Sequence, residues 1–164
     1  NLFSRKIVPL VISQAIPLIT GGISAALTSD AMKQFGELNQ PALSPPGWLF
    51  PVVWSILYIL MGISCWMIFM SDAGSDSEKR LRKRALWLYF IQLFFNFCWS
   101  PLFFRAKLYY VAFIWLIIMW ILILLTMISF YRIKKPAMYL LIPYILWTSF
   151  AGYLNLMVAI LNPR

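Results

Sequence analysis

Five long apolar runs, at residues 7–27, 48–70, 85–104, 109–131 and 137–161, limit what this chain can fold into more than any other feature. Each can cross roughly 30 Å of hydrocarbon as a helix rising about 1.5 Å per residue. Within the runs apolar residues follow one another instead of alternating with polar ones, so spanning helices fit and a transmembrane β-barrel does not. Hydrophobic residues make up 62% of the 164 and charged ones only 12%, where soluble domains carry about a quarter charged. The expected fold is therefore an all-α membrane protein, a single five-transmembrane-helix bundle over residues 1–164. The first run reads as helix one and not as a cleaved signal peptide, because no small-residue cleavage site follows it.

The formal charge of +9, from 14 basic and 5 acidic residues, matters through its distribution. With five spans, Arg5, Lys6, Lys79, Arg80, Arg82, Lys83, Arg84, Arg132, Lys134 and Lys135 fall on one side, and Lys33, Arg105, Lys107 and Arg164 on the other. That imbalance predicts a cytoplasmic N-terminus and a C-terminus outside, and the setting taken here is a bacterial cell membrane. The basic run at residues 79–84 is expected in a short juxtamembrane loop, where topogenic charge and anionic lipid explain it without a nucleic-acid partner. There is no histidine, and Cys65 and Cys98 both fall inside predicted spans. Metal sites, disulfides and histidine-based acid–base catalysis are thereby left without support.

Residues 40–54, Gln-Pro-Ala-Leu-Ser-Pro-Pro-Gly-Trp-Leu-Phe-Pro-Val-Val-Trp, place Pro41, Pro45, Pro46 and Pro51 with large aromatics at the start of the second span. Two readings stand: a stiffened entrance to a site, or a loop that breaks before a helix. The preceding connection, residues 28–47, is long enough to act as a lid. The connection at residues 71–84 reads as a flexible cytoplasmic turn with no chemistry.

Polar residues inside the spans are few, so their spacing is informative. Gln92, Asn96 and Ser100 recur every four residues and form one stripe, which must meet other helices, water or a ligand. Trp147, Phe150, Ala151, Leu154 and Asn155 share a face of the last span beyond a kink expected at Pro143, while Trp54, Tyr58, Met61 and Cys65 share a face of the second. If these faces meet, they form either ordinary bundle core or an aromatic cavity suited to a flat apolar ligand with polar edges. Gly21 with Ala25, and Gly22 with Ala26, give helix one a small-xxx-small surface for close packing within the bundle or across a dimer. Trp115 and Trp120 are five apart, point in different directions, and suit packing or lipid contact.

Three ordered motifs resemble the translocator protein family (TspO/MBR), also called tryptophan-rich sensory proteins or peripheral-type benzodiazepine receptors. They are Leu38-x-x-Pro41-x-x-x-Pro45-Pro46-x-x-x-Phe50-Pro51-x-Val53-Trp54 with Tyr58, Met61 and Gly62 following; Gln92-Leu93-x-x-Asn96-x-x-Trp99-Ser100-Pro101-Leu102-Phe103-Phe104; and Pro143-Tyr144-x-x-Trp147-x-x-Phe150-Ala151-x-x-Leu154-Asn155. The resemblance covers essentially the whole chain. It implies a five-helix bundle, often a homodimer, with a pocket beneath the first loop for porphyrins, other tetrapyrroles and isoquinoline or benzodiazepine ligands. Carried over by position, it implies Trp54 and Trp147 beside bound porphyrin, Asn96 as a polar pocket residue and Ala151 as the small residue that leaves ligand space. Pro46, Phe50, Trp99, Ser100 and Leu154 follow as wall positions, and Gln92 joins Asn96 in orienting a polar edge.

The chain departs from the family pattern at Phe35-Gly36 and Gln40 in the first loop, and at Ile114, where many members have an acidic residue. The Tyr and basic residue of the family's proposed cholesterol motif are missing after Asn155, so sterol binding gains little support. The leading expectation is a receptor-like membrane protein that binds porphyrins, with no cofactor, and acts as sensor, scavenger or transport partner. An alternative is light- and oxygen-dependent porphyrin degradation with Trp54 and Trp147 as redox partners, making them the only catalytic candidates. A second alternative is uncoupled transport of apolar ligands, since neither an inverted repeat nor an intramembrane charge points to ion coupling.

Overall fold

The computed structural model describes residues 1–163, and Arg164, one of the charges counted above, lies outside the described residues. The helices are α1 Leu2–Leu27, α2 Ala31–Glu37, α3 Leu49–Phe69, α4 Asp76–Ser100 continued by a π-helical turn Pro101–Arg105, α5 Tyr109–Ile133, α6 Lys135–Tyr139 and α7 Ile142–Leu161. Five helical spans among the described residues are long and apolar enough to cross a membrane: α1, α3, α4 with its π turn, α5, and α6 with α7. Their outward surfaces carry Ile, Leu, Val and Phe, as lipid contact requires, while Tyr89, Tyr144, Phe130, Met61 and Met119 are almost wholly buried.

Two stretches expected as loops are helical. Lys79–Arg84 belongs to α4, which begins nine residues before the predicted span because Ser75 caps it. Ser75 Oγ accepts from Glu78 N at 3.2 Å, and Glu78 Oε2 accepts from Ser75 N at 3.1 Å, a reciprocal box that satisfies donors the first turn leaves unpaired. In the first connection Ala31–Glu37 forms α2, too short to hold by propensity alone, and it is fixed by burial of Ala31 and Phe35.

The hydrogen-bond ladder breaks at two places close to prolines, and hydroxyls from other helices use the carbonyls set free. Pro101 has no N–H, and Phe97 O accepts from Ser24 Oγ of α1 at 3.4 Å. The chain then widens into the π turn, with Ala106 N donating to Pro101 O at 2.8 Å. Between α6 and α7 the kink expected at Pro143 is a break at Leu140–Leu141, with Pro143 in the first turn of the new helix. Leu141 N turns to Met138 O, and Ala137 O accepts from Ser64 Oγ of α3 at 2.6 Å.

α1 packs along α3, and α5 lies between α4 and α7. On α1, a Cβ at Gly21 would stand 2.8 Å from Tyr58 Cδ2, whereas one at Gly22 would meet nothing within 4 Å. Only the Gly21 side of the small-residue surface is therefore used inside the bundle. Gly62 has the matching task on α3: a Cβ there would lie 2.7 Å from Cδ of Gln14, whose Nε2 donates to Ile59 O at 2.9 Å. Trp115 stacks on Phe95 of α4, with centroids 4.2 Å apart, while Trp120 donates to Ser149 Oγ of α7 at 2.9 Å. The two indoles thus serve different helix pairs.

Candidate functional site

α3 and α7 meet mainly through rings: Phe50 lies edge-on to Trp147 with centroids 5.8 Å apart, and Trp54 edge-on to Tyr144 at 6.3 Å. The space those rings leave is a cavity of about 240 Å³. Its walls come from α1, α2, α3, α4, the π turn, α5 and α7, and no charged side chain is among its described lining residues.

Of the residues singled out from sequence, Phe50, Trp54, Asn96, Trp99, Ser100, Trp147, Ala151 and Leu154 line this cavity. Trp54 sits in the second turn of α3, stacked on Tyr58 with centroids 5.7 Å apart. Trp147 is flanked by Phe50 and, at 5.7 Å, by Phe150. Its Nε1 is buried and has no hydrogen-bond partner among the described residues, an unusual state for an indole.

Gln92 and Pro46 are not brought to the cavity wall. Pro46 is exposed in the approach to α3 and starts its first turn, with Leu49 N donating to Pro46 O at 3.1 Å. Gln92 is 1% exposed and lies one turn deeper than Asn96, where it accepts from Tyr144 Oη at 2.7 Å. The same Tyr144 hydroxyl accepts from Asn96 Nδ2 at 2.8 Å, and Asn96 Oδ1 accepts from Tyr58 Oη at 2.8 Å. The stripe on α4 is thus tied into a floor of two amides and two phenols joining α3, α4 and α7. Each buried polar group gains a partner there, and Asn96 and Tyr58 are the two of the four that line the cavity.

A second polar tie crosses the upper wall. Trp99 Nε1 donates to Asn155 Oδ1 at 3.0 Å, and Asn155 Nδ2 donates to Tyr109 O at 2.8 Å. Trp99 stacks on Phe103 at 5.3 Å, so the π turn places a further ring on the wall. Gly21, Ser24, Thr28, Met32, Phe35 and Phe103 also line the cavity although no sequence signal marked them as site residues. Phe35 could have been found as the one aromatic residue in the connection at residues 28–47.

The roof is α2 and the strand of chain after it. Phe35 is buried and stands edge-on to Phe50, with centroids 5.1 Å apart, and Gln40 Nε2 donates to Phe35 O at 2.9 Å. The two first-loop departures from the family pattern, Phe35-Gly36 and Gln40, therefore contact each other. Asn39 N donates to Asn162 Oδ1 and Asn162 Nδ2 to Asn39 O, both at 3.0 Å, which pins the loop to the end of α7.

The family model described as the TspO/MBR family matches residues 13–161. The chain belongs to that family. It is 35% identical over 161 residues to the tryptophan-rich protein TspO of Chlorobaculum tepidum, a match covering 98% of this chain and 99% of that relative. It is 32% identical over 149 residues to the translocator protein of Bos taurus, covering 90% and 86%. It is 33% identical over 129 residues to the protein CrtK of Rhodobacter capsulatus, covering 79% and 78%. The chain is an integral membrane protein of the TspO/MBR family, and the matched residues contain every helix from α2 to α7.

Proposed function

We propose that this protein binds tetrapyrroles in the cavity between Trp54 and Trp147. The observation that carries this is an uncharged cavity whose walls are indole, phenol and phenyl rings with a few amides and hydroxyls. A flat apolar ligand gains from burial there, with ring contacts adding about 0.5–1.5 kcal/mol per aromatic pair. Sensing, scavenging or handing on a porphyrin all use such a site, and the relatives named tryptophan-rich sensory protein and translocator protein are in keeping with it.

Size and charge set how the ligand sits. A volume of about 240 Å³ is below the roughly 300–1,000 Å³ usual for drug-sized ligands, so a whole macrocycle requires the cavity to widen or the ligand to extend into its mouth. A porphyrin's carboxylates cannot be buried in an uncharged cavity without large cost, so they remain at the mouth, on the side assigned Lys33, Arg105 and Lys107. The ten-to-four charge imbalance supports a mouth on the outer side of a bacterial cell membrane. A homodimer belongs to the same proposal, with the open Gly22 and Ala26 side of α1 as a candidate contact.

The test is displacement: protoporphyrin bound to the protein in lipid nanodiscs should be released by an isoquinoline competitor in a saturable manner. Porphyrin that partitions into the nanodisc and ignores the competitor argues against a shared cavity.

Light- and oxygen-dependent porphyrin degradation is the second reading, favoured by the indoles of Trp54 and Trp147 lining the same cavity. A photoexcited porphyrin can take an electron from a neighbouring indole, with dioxygen as the final oxidant. Illumination of Trp54→Phe and Trp147→Phe complexes decides it, because bleaching equal to wild type would leave binding alone.

A further inference from the structure

The connection from α2 to α3 does more than roof the cavity. After Asn39 is pinned beside Leu161 and Asn162, the chain runs to Ala42, whose carbonyl accepts from Tyr153 Oη at 2.8 Å. Tyr153 is on the exposed side of α7, stacked on Phe150, and eight residues before Leu161, about 12 Å along the helix axis. The strap therefore comes to the outer flank of α7 before Pro45 and Pro46 carry it to α3.

Two apolar side chains on this strap have no place in the protein. Leu43 is 82% exposed and Trp48 67% exposed. Leu43 also has φ 66°, a left-handed conformation that costs a branched residue free energy and that glycine or asparagine would adopt more easily. In water this combines backbone strain with an unburied leucine. On both sides of the strap the exposed residues are those of the bilayer-facing surface, Val52 and Ile56 on α3 and Ile160 on α7. No charged residue occurs between Glu37 and Asp72, whereas the opposite connection is dense in charge.

We propose that residues 39–48 form a membrane-interface anchor, in which Leu43 and Trp48 insert between the headgroups and upper acyl chains of the leaflet at the cavity mouth. The partner is the lipid bilayer itself. An indole favours that boundary, and an apolar side chain facing lipid on a polar backbone turn is how interfacial segments bind. The strap crosses from α7 to α3, where the bundle is joined mainly by the Phe50–Trp147 and Trp54–Tyr144 rings. Lipid holding the strap thereby helps to keep that side of the cavity shut.

The test places a single cysteine at position 43, in a Cys65→Ala, Cys98→Ala background, carrying an environment-sensitive fluorophore in phosphatidylcholine–phosphatidylglycerol nanodiscs. The same label at Ser77→Cys serves as the water-exposed reference. The label at 43 should emit at shorter wavelength than at 77, be quenched by lipids with a nitroxide near the headgroup, and be shielded from iodide. Without any label, wild-type tryptophan emission should lose more to lipids brominated near the headgroup than Trp48→Phe emission does. Iodide quenching at 43 as strong as at 77 overturns the proposal, as does equal bromolipid quenching in the two unlabelled proteins. Shielding from iodide without nitroxide quenching also overturns it, because protein and not lipid would then cover the strap.

Discussion

Tyr58 donates to Asn96 Oδ1 at 2.8 Å beneath the cavity, joining α3 to α4 where Asn96 in turn donates to Tyr144 of α7. One amide therefore fixes the spacing of three helices and forms the polar end of an otherwise aromatic site. Asn96→Leu removes both bonds and leaves the buried Tyr58 hydroxyl unpartnered, while Tyr144 keeps its bond to Gln92. Each bond in a membrane bundle contributes about 0.6 kcal/mol on average, and an orphaned buried group costs roughly 1–3 kcal/mol. A loss of about 1–4 kcal/mol is expected, read as a lower midpoint of unfolding in a mixed-micelle titration.

Gly21 and Gly22 separate packing from helix propensity. Gly21→Ala pushes against the Tyr58 ring, and Tyr58 cannot yield without disturbing Asn96. Gly22→Ala meets open space within the protomer and, in monomeric protein, should stabilise α1 by up to about 1 kcal/mol through helix propensity. Thermal unfolding of the two variants should move in opposite directions, and a common direction would show that the Gly21–Tyr58 contact carries no weight.

Asn39 and Asn162 exchange hydrogen bonds that hold the roof down. Asn162→Ala removes them and leaves the walls intact, so bound porphyrin should dissociate faster by roughly tenfold if the latch contributes about 1.4 kcal/mol. Stopped-flow release measured in nanodiscs reads this directly, and an unchanged rate would mean that the roof does not control exit.

The spans were legible because apolar runs of this length have one use, and the inward faces because a 3.6-residue period brings Trp147, Ala151 and Leu154 together. The beginning of α4 was not, since Lys79–Arg84 looks like a loop when read by charge, although Ser75-x-x-Glu78 spells a capping box in the sequence. α2 was missed because its seven residues include Gly36 and its stability comes from burying Phe35, which a local pattern does not reveal. Gln92 shares a stripe with Asn96 yet lies below the cavity, because periodicity gives the face of a helix and not the depth at which a neighbour such as Tyr144 closes over it. Tyr144 itself could be placed in a motif but not in its role, which depends on pairing across 48 residues to Asn96 and 52 to Gln92.

The most direct measurement of binding in the cavity is a protoporphyrin titration of wild-type protein and Ala151→Leu in nanodiscs, followed by tryptophan quenching. Ala151 is buried on the wall of a cavity of only about 240 Å³, so three added carbons occupy space a macrocycle needs. Saturable quenching is predicted for wild type, with affinity at least about tenfold weaker in Ala151→Leu, a loss of roughly 1.4 kcal/mol or more. Equal, non-saturating quenching in both proteins would contradict binding between Trp54 and Trp147.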